Sequence, residues 1–102
     1  MTARTGSVEG VTELQLALAE KHAGNIEGAQ TYLERAMSLD PDSALLQVTM
    51  GEVLYHRGLN SEALAALERA VALNQDNHDA LYLMGFVLGD IGREDEARAV
   101  TR

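Results

Sequence analysis

Leu33-Glu34-Arg35-Ala36 returns 34 residues later as Leu67-Glu68-Arg69-Ala70, and this recurrence decides the fold. The same shift carries Gly24 onto Gly58 and Gly92, and Ala29 onto Ala63 and Ala97. It also carries Leu14 onto Val48 and Tyr82, Leu16 onto Met50 and Met84, Gly51 onto Gly85, and Leu39 onto Leu73. Small residues replace small ones and large apolar residues replace large apolar ones. The chain is therefore an internal repeat, and a period of about 34 residues is that of a stacked helix pair.

Within each unit the apolar residues keep helical spacing. Val11, Leu14 and Leu18 share one face of a first helix, and Ala29, Leu33, Ala36 and Leu39 share one stripe of a second. Gly24, Gly58 and Gly92 fall between the two helices of a unit, where a residue tolerant of positive φ ends the first. Asn25 and Asn60 follow as N-caps for the second. Asp40-Pro41-Asp42-Ser43 stops the first unit, because proline biases its predecessor away from helix and Asp42 or Ser43 caps the next. These signals predict helices over 11–23, 26–39, 43–57, 60–73, 78–91 and 94–102. Residues 1–9 read as a disordered leader. Residues 10–102 form one domain of units 10–43, 44–77 and 78–102, the last incomplete.

Composition narrows the function classes. Fifteen Leu and fifteen Ala against three Tyr, one Phe and no Trp make an aliphatic core, and a single proline favours helix. The absence of cysteine excludes disulfides, thiolate metal sites and cysteine nucleophiles. Net charge is −8 with one lysine, Lys21, and the acidity is spread over all three units. Nucleic acids and anionic membrane surfaces select for a basic footprint, so both are poor partners for this chain. Residues 1–10 lack the apolar core of a signal peptide, and the longest apolar run, residues 80–89, is too short to cross a bilayer. The chain is expected to be soluble and cytoplasmic.

The repeat resembles the tetratricopeptide repeat, a helix–turn–helix unit that stacks into a right-handed superhelical solenoid. That family places a large apolar residue before a small one in its first helix, as do Leu16-Ala17, Met50-Gly51 and Met84-Gly85. Its second helix carries alanine, a bulky residue four positions on and another alanine three beyond. Ala29, Leu33 and Ala36 match this, as do Ala63, Leu67 and Ala70, and Ala97 begins it a third time. Pro41 matches the family's terminal proline, but Gln75 replaces it in the second unit, and Glu13, Gln47 and Leu81 stand where tryptophan is frequent. The resemblance covers residues 10–102 and implies an all-α solenoid of antiparallel helix pairs, about two and a half units long.

The resemblance also implies a binding site: the first helices of successive units line a concave groove that takes peptides or helices. Carried onto this sequence, the groove residues are Leu14, Leu18, Lys21 and His22, then Val48, Glu52, Tyr55 and His56, then Tyr82, Phe86 and Asp90. A well-known subtype grips a terminal carboxylate with Lys, Asn and Arg. Leu14, Leu18, Val48, Tyr82 and Phe86 stand where those polar residues would be needed, so an apolar or amphipathic segment fits better. Each groove residue also has a bland reading. Phe86, four from Tyr82 on a helix apolar almost all round, reads somewhat better as core, Tyr55 and Tyr82 equally well as either, and Leu14, Leu18 and Val48 as an inner lining that touches no partner.

Two further expectations concern packing. Ala63 and Gly85 are expected at close helix crossings, so that leucine at either position overpacks. Glu13 and Glu20 take places where other units carry Leu81 and Leu54 or Leu88, which suits an unpartnered first unit. Signals for chemistry are thin. His22 and His56 occupy equivalent positions but lack a third metal ligand, and Asp76-Asn77-His78-Asp79 reads as a helix cap, not a calcium loop. No nucleophile–base pair or phosphate loop is present, so the chain is expected to be non-catalytic, with no cofactor and no metal. The leading reading is a protein-binding adaptor. Its alternatives are a homo-oligomerisation module and a regulatory fragment of a larger multidomain protein.

Overall fold

The computed structural model describes residues 6–101, with side chains over residues 12–95. Five helices follow in order: α1 (Gly6–His22), α2 (Ile26–Leu39), α3 (Ala44–His56), α4 (Asn60–Leu73) and α5 (His78–Thr101). Among the described residues there is no strand. α1 packs on α2, α3 on α4, and each pair on the next element, in an elongated body of 62 × 30 × 18 Å. The architecture is an all-α helical-repeat solenoid. α1 begins at Gly6, so residues 6–9 of the expected leader form its first turn, while residues 1–5 lie outside the described residues.

Local chemistry fixes the two tight turns. Gly24 has φ 89° and Gly58 has φ 78°, a left-handed backbone that glycine alone adopts without strain. At the first turn Gly24 N–H donates to the Lys21 carbonyl (3.0 Å) and Asn25 N–H to the Glu20 carbonyl (2.8 Å). The second turn repeats the pattern, with Gly58 N–H donating to Tyr55 and Leu59 N–H to Leu54, both at 2.9 Å. These paired bonds satisfy the last carbonyls of α1 and α3. At helix starts, Asn25 Oδ1 accepts from Gly28 N–H (3.1 Å), Ser43 Oγ from Leu46 N–H (3.2 Å) and Asn77 Oδ1 from Ala80 N–H (3.0 Å). Asn60 does not cap. Leu59 holds the cap position of α4 with no side-chain bond, and Asn60 Nδ2 donates instead to Glu94 Oε2 on α5 (3.3 Å).

Gly92 does not end a helix, contrary to expectation. α5 runs through it for 24 residues, merging the predicted helices 78–91 and 94–102. The two true turns each have a partner for the residue after glycine: Asn25 Nδ2 donates to Glu20 Oε1 (2.9 Å), and the pair Leu59 and Leu54 is apolar on both sides. The corresponding residues of the third unit are Arg93 and Leu88, which have no such affinity. Arg93 instead pairs with Asp90 inside the continuing helix, Nη1 to Oδ1 at 2.6 Å. A fold-back at Gly92 would also place Thr101 where Leu33 and Leu67 supply the bulk of the first two units. With little to bury, nothing offsets the broken backbone bonds.

The core is built from small residues packed against leucine. Ala29, Leu33 and Ala36 of α2 and Ala63, Ala66, Leu67 and Ala70 of α4 are buried, with Met50 and Val53 of α3 and Ala80 and Val87 of α5. Gly51 lets α3 and α4 come close: a Cβ there would lie 2.7 Å from Leu67 Cδ2. Gln47 is buried too, and its Oε1 accepts from Arg69 Nε on α4 (3.2 Å). Gln47 therefore faces α4, the second helix of its own unit. Glu13 is half-buried, and Glu20 is half-buried and bonded to Asn25, so neither is the freely exposed acid the sequence suggested.

On α5 the same face is uncovered. Leu81, Gly85 and Leu88 occupy the register of Gln47, Gly51 and Leu54, which α4 covers in the second unit. Because α5 runs straight on, Leu81 and Leu88 are exposed and a Cβ at Gly85 meets nothing within 4 Å. Gly85 is thus not at a close crossing. Leucine there would not overpack.

Candidate functional site

A cavity of about 580 Å³ lies between α3 and α5, on the side where first helices face one another. It owes its shape to two helical stripes. Leu45, Val48, Thr49, Glu52, Tyr55 and His56 line it from α3, and Asp79, Tyr82, Leu83 and Phe86 from α5. The spacing of three and four residues puts each set on one face of its helix. α3 is held in place by its buried opposite face, and α5 by Ala80 and Val87. The side chains left over point into the groove.

The two aromatic rings are not core. Tyr82 is 72% exposed and Phe86 50% exposed, and they stack edge to face with centroids 5.0 Å apart and planes at 87°. Such a geometry sets the positive edge of one ring against the negative face of the other. Leu45 adds a third exposed apolar side chain at the α3 end.

Polar ties between first helices frame the groove. Lys21 Nζ of α1 pairs with Glu52 Oε2 of α3 at 2.8 Å, and His56 Nε2 lies 3.9 Å from the same oxygen. Tyr55 Oη donates to Asp90 Oδ2 of α5 at 2.7 Å, while Arg93 holds the other oxygen of Asp90. That hydrogen bond holds the Tyr55 phenol above its ordinary pKa, helped by desolvation and the negative charge of Asp90 and opposed by Arg93. On the opposite side Arg57 Nη1 donates to Gln30 Oε1 (2.6 Å), so α2 and α3 are also linked.

Of the residues expected in the groove, Val48, Glu52, Tyr55, His56, Tyr82 and Phe86 come together in this cavity. Leu14, Leu18 and His22 do not line it: Leu14 and Leu18 are half-buried, Leu14 against the core, and His22 is exposed. Lys21 and Asp90 act as ties at its ends. Sequence reasoning missed Leu45, Thr49, Asp79 and Leu83. Extending the stripes of Val48 and Tyr82 one turn towards the helix starts reaches Leu45 and Asp79, so the signal was present. Among the described residues no group of three His, Cys, Asp or Glu side chains is placed to hold a metal.

Stacked helix pairs with an open groove along their first helices define a repeat protein of the solenoid class. The chain matches the tetratricopeptide repeat over residues 20–85, more than half its length. It belongs to the tetratricopeptide repeat family, whose members are in general non-catalytic protein-interaction modules. Among solved structures it is similar to the crystal structure of MamA, with 31% identity and a TM-score of 0.77 over 86% of this chain. It spans about half, 52%, of the MamA chain. No curated protein sequence matches it. No helix among the described residues is long and apolar enough to cross a membrane.

Proposed function

We propose that the chain is a binding adaptor whose groove between α3 and α5 receives an apolar or amphipathic segment of another protein. The observation that carries this is the pair Tyr82 and Phe86, solvent-exposed within a cavity walled by Leu45 and Val48. Exposed aromatics clustered in a concavity are the usual anchors of a partner, because covering them removes a large apolar area from water. The net charge of −8 favours partners bearing Lys or Arg around that apolar anchor and opposes nucleic acid. Binding of a leucine-striped helical peptide, followed by NMR, tests the reading. Shifts at Val48, Tyr82 and Phe86 are expected, with binding lost in Val48→Glu and Tyr82→Glu. Equal binding by both variants and the parent removes the groove from the function.

Self-association is a second reading, favoured by the uncovered face of α5, where Leu81 and Leu88 are exposed around Gly85. It uses the opposite side of α5 from the groove, so the two are separable by mutation.

A further inference from the structure

We infer that the groove takes an arginine side chain of the docked segment, its guanidinium seated between the Asp79 carboxylate and the Tyr82–Phe86 ring pair. This rests on the docking reading above and adds the chemistry of one anchor. Asp79, Tyr82 and Phe86 lie at i, i+3 and i+7 on α5, and all three line the cavity. They share one face of the helix.

The carboxylates around the groove differ in what they already hold. Glu52 is neutralised by Lys21, and Asp90 is held by Tyr55 and Arg93. Among the described residues no cation or hydrogen-bond donor engages the Asp79 side chain. While the groove is open, water solvates it. A segment that covered Tyr82 and Phe86 with apolar side chains alone would strip that water and leave a charge unpaired, which is strongly unfavourable. The occupant must therefore bring its own cation to this end of the groove.

The ring geometry says which cation. In an edge-to-face pair, the ring that offers its edge keeps both faces clear of its neighbour, and that electron-rich face attracts a cation. A guanidinium is flat enough to lie on the ring while its fork of N–H donors meets a carboxylate edge on. The compact, strongly hydrated ammonium of lysine does only one of these well. Leu45, Val48 and Leu83 supply apolar wall for the arginine stem, and the net charge of −8 draws such a segment in.

The test compares two short helix-forming peptides with the same leucine stripe, one carrying arginine beside it and the other citrulline, which keeps the shape and lacks the charge. Binding to the full chain is measured by calorimetry and located by NMR. The arginine peptide is expected to bind about five- to tenfold more tightly, as a carboxylate pair and a cation–π contact together supply. Asp79→Asn should shrink that advantage to the cation–π share, and the citrulline peptide should bind this variant more tightly than the parent, because no unpaired carboxylate is then covered. Tyr82→Leu, which keeps apolar bulk, should also shrink the advantage. Equal affinities for the two peptides at the groove overturn the arginine anchor and leave the docking reading standing. Failure of both peptides to shift any groove resonance overturns both.

Discussion

Gly51 and Gly85 hold the same register position on α3 and α5, yet a methyl group added to each meets different surroundings. At Gly51 it would lie 2.7 Å from Leu67 Cδ2 and 2.8 Å from Leu67 Cγ, inside the α3–α4 contact. Leu67 is fully buried and has no free volume to retreat into. Gly51→Ala should therefore destabilise the fold by about 1–3 kcal/mol through overpacking. Gly85→Ala meets open space and should instead stabilise by about 0.5–1 kcal/mol, the helical preference of alanine over glycine. Urea denaturation of both variants checks the pair, and matching losses would mean that α5 is covered like α3. The Tyr55–Asp90 hydrogen bond gives a second residue-scale prediction. Because the folded phenol titrates above its ordinary value of 10.0, its contribution to stability is complete below that pH. It is lost as pH rises through the folded value. Ultraviolet titration should show one tyrosine ionising late, and Asp90→Asn should bring it back towards the ordinary range. An unchanged profile in Asp90→Asn would mean that the hydrogen bond does not form in solution.

At the scale of helices, the same residue type has opposite consequences at Gly24 and Gly92. Gly24 sits at φ 89°, so Gly24→Ala forces a side chain into the left-handed region and should lower stability by about 1–2 kcal/mol. Gly92 lies inside α5, and Gly92→Ala should raise helicity and stability by about 0.5–1 kcal/mol. Thermal melts followed by circular dichroism separate the two. A loss at Gly92 equal to that at Gly24 would show that the third unit folds back after all. The comparison also explains what the sequence made legible. α2 and α4 match their expected bounds, and α3 falls one residue short at each end, because caps and glycine turns are local chemistry readable from Asn25, Ser43, Gly24 and Gly58. Gly92 misled because a glycine permits a turn without requiring one. The decision lay with Arg93 and Leu88, which fail to hold the turn that Asn25 with Glu20 secures. The cavity was legible to the same degree: repeat register carried Val48, Tyr82 and Phe86 to faces that line one cavity. Register gives no sign that Lys21 would tie α1 to Glu52, and it leaves Leu14 open between groove and inner lining, since both depend on how closely neighbouring pairs approach.

For the whole molecule, the ties and open surfaces differ between the two sides of α5. Towards the groove, Lys21–Glu52 and Tyr55–Asp90 link each first helix to the next and hold the groove's walls in register. Away from the groove, Asn60 donates to Glu94 between α4 and α5, and Leu81 at 46% and Leu88 at 50% exposure flank Gly85. Leu81, Gly85 and Leu88 hold the register of Gln47, Gly51 and Leu54, which α4 covers on α3, so a second copy brought up to this face meets a surface whose glycine lets a helix come close. If two copies use it on each other, the contact is isologous and closes at a dimer. Light scattering over a range of concentrations should then show mass rising from monomer to dimer and no further. Leu88→Glu should hold the chain at monomer, because a carboxylate at the centre of that face cannot be desolvated without a partner. The same variant should bind a groove peptide as the parent does, since Leu88 does not line the cavity. A constant monomer mass at every concentration would leave the outer face of α5 with no role in self-association.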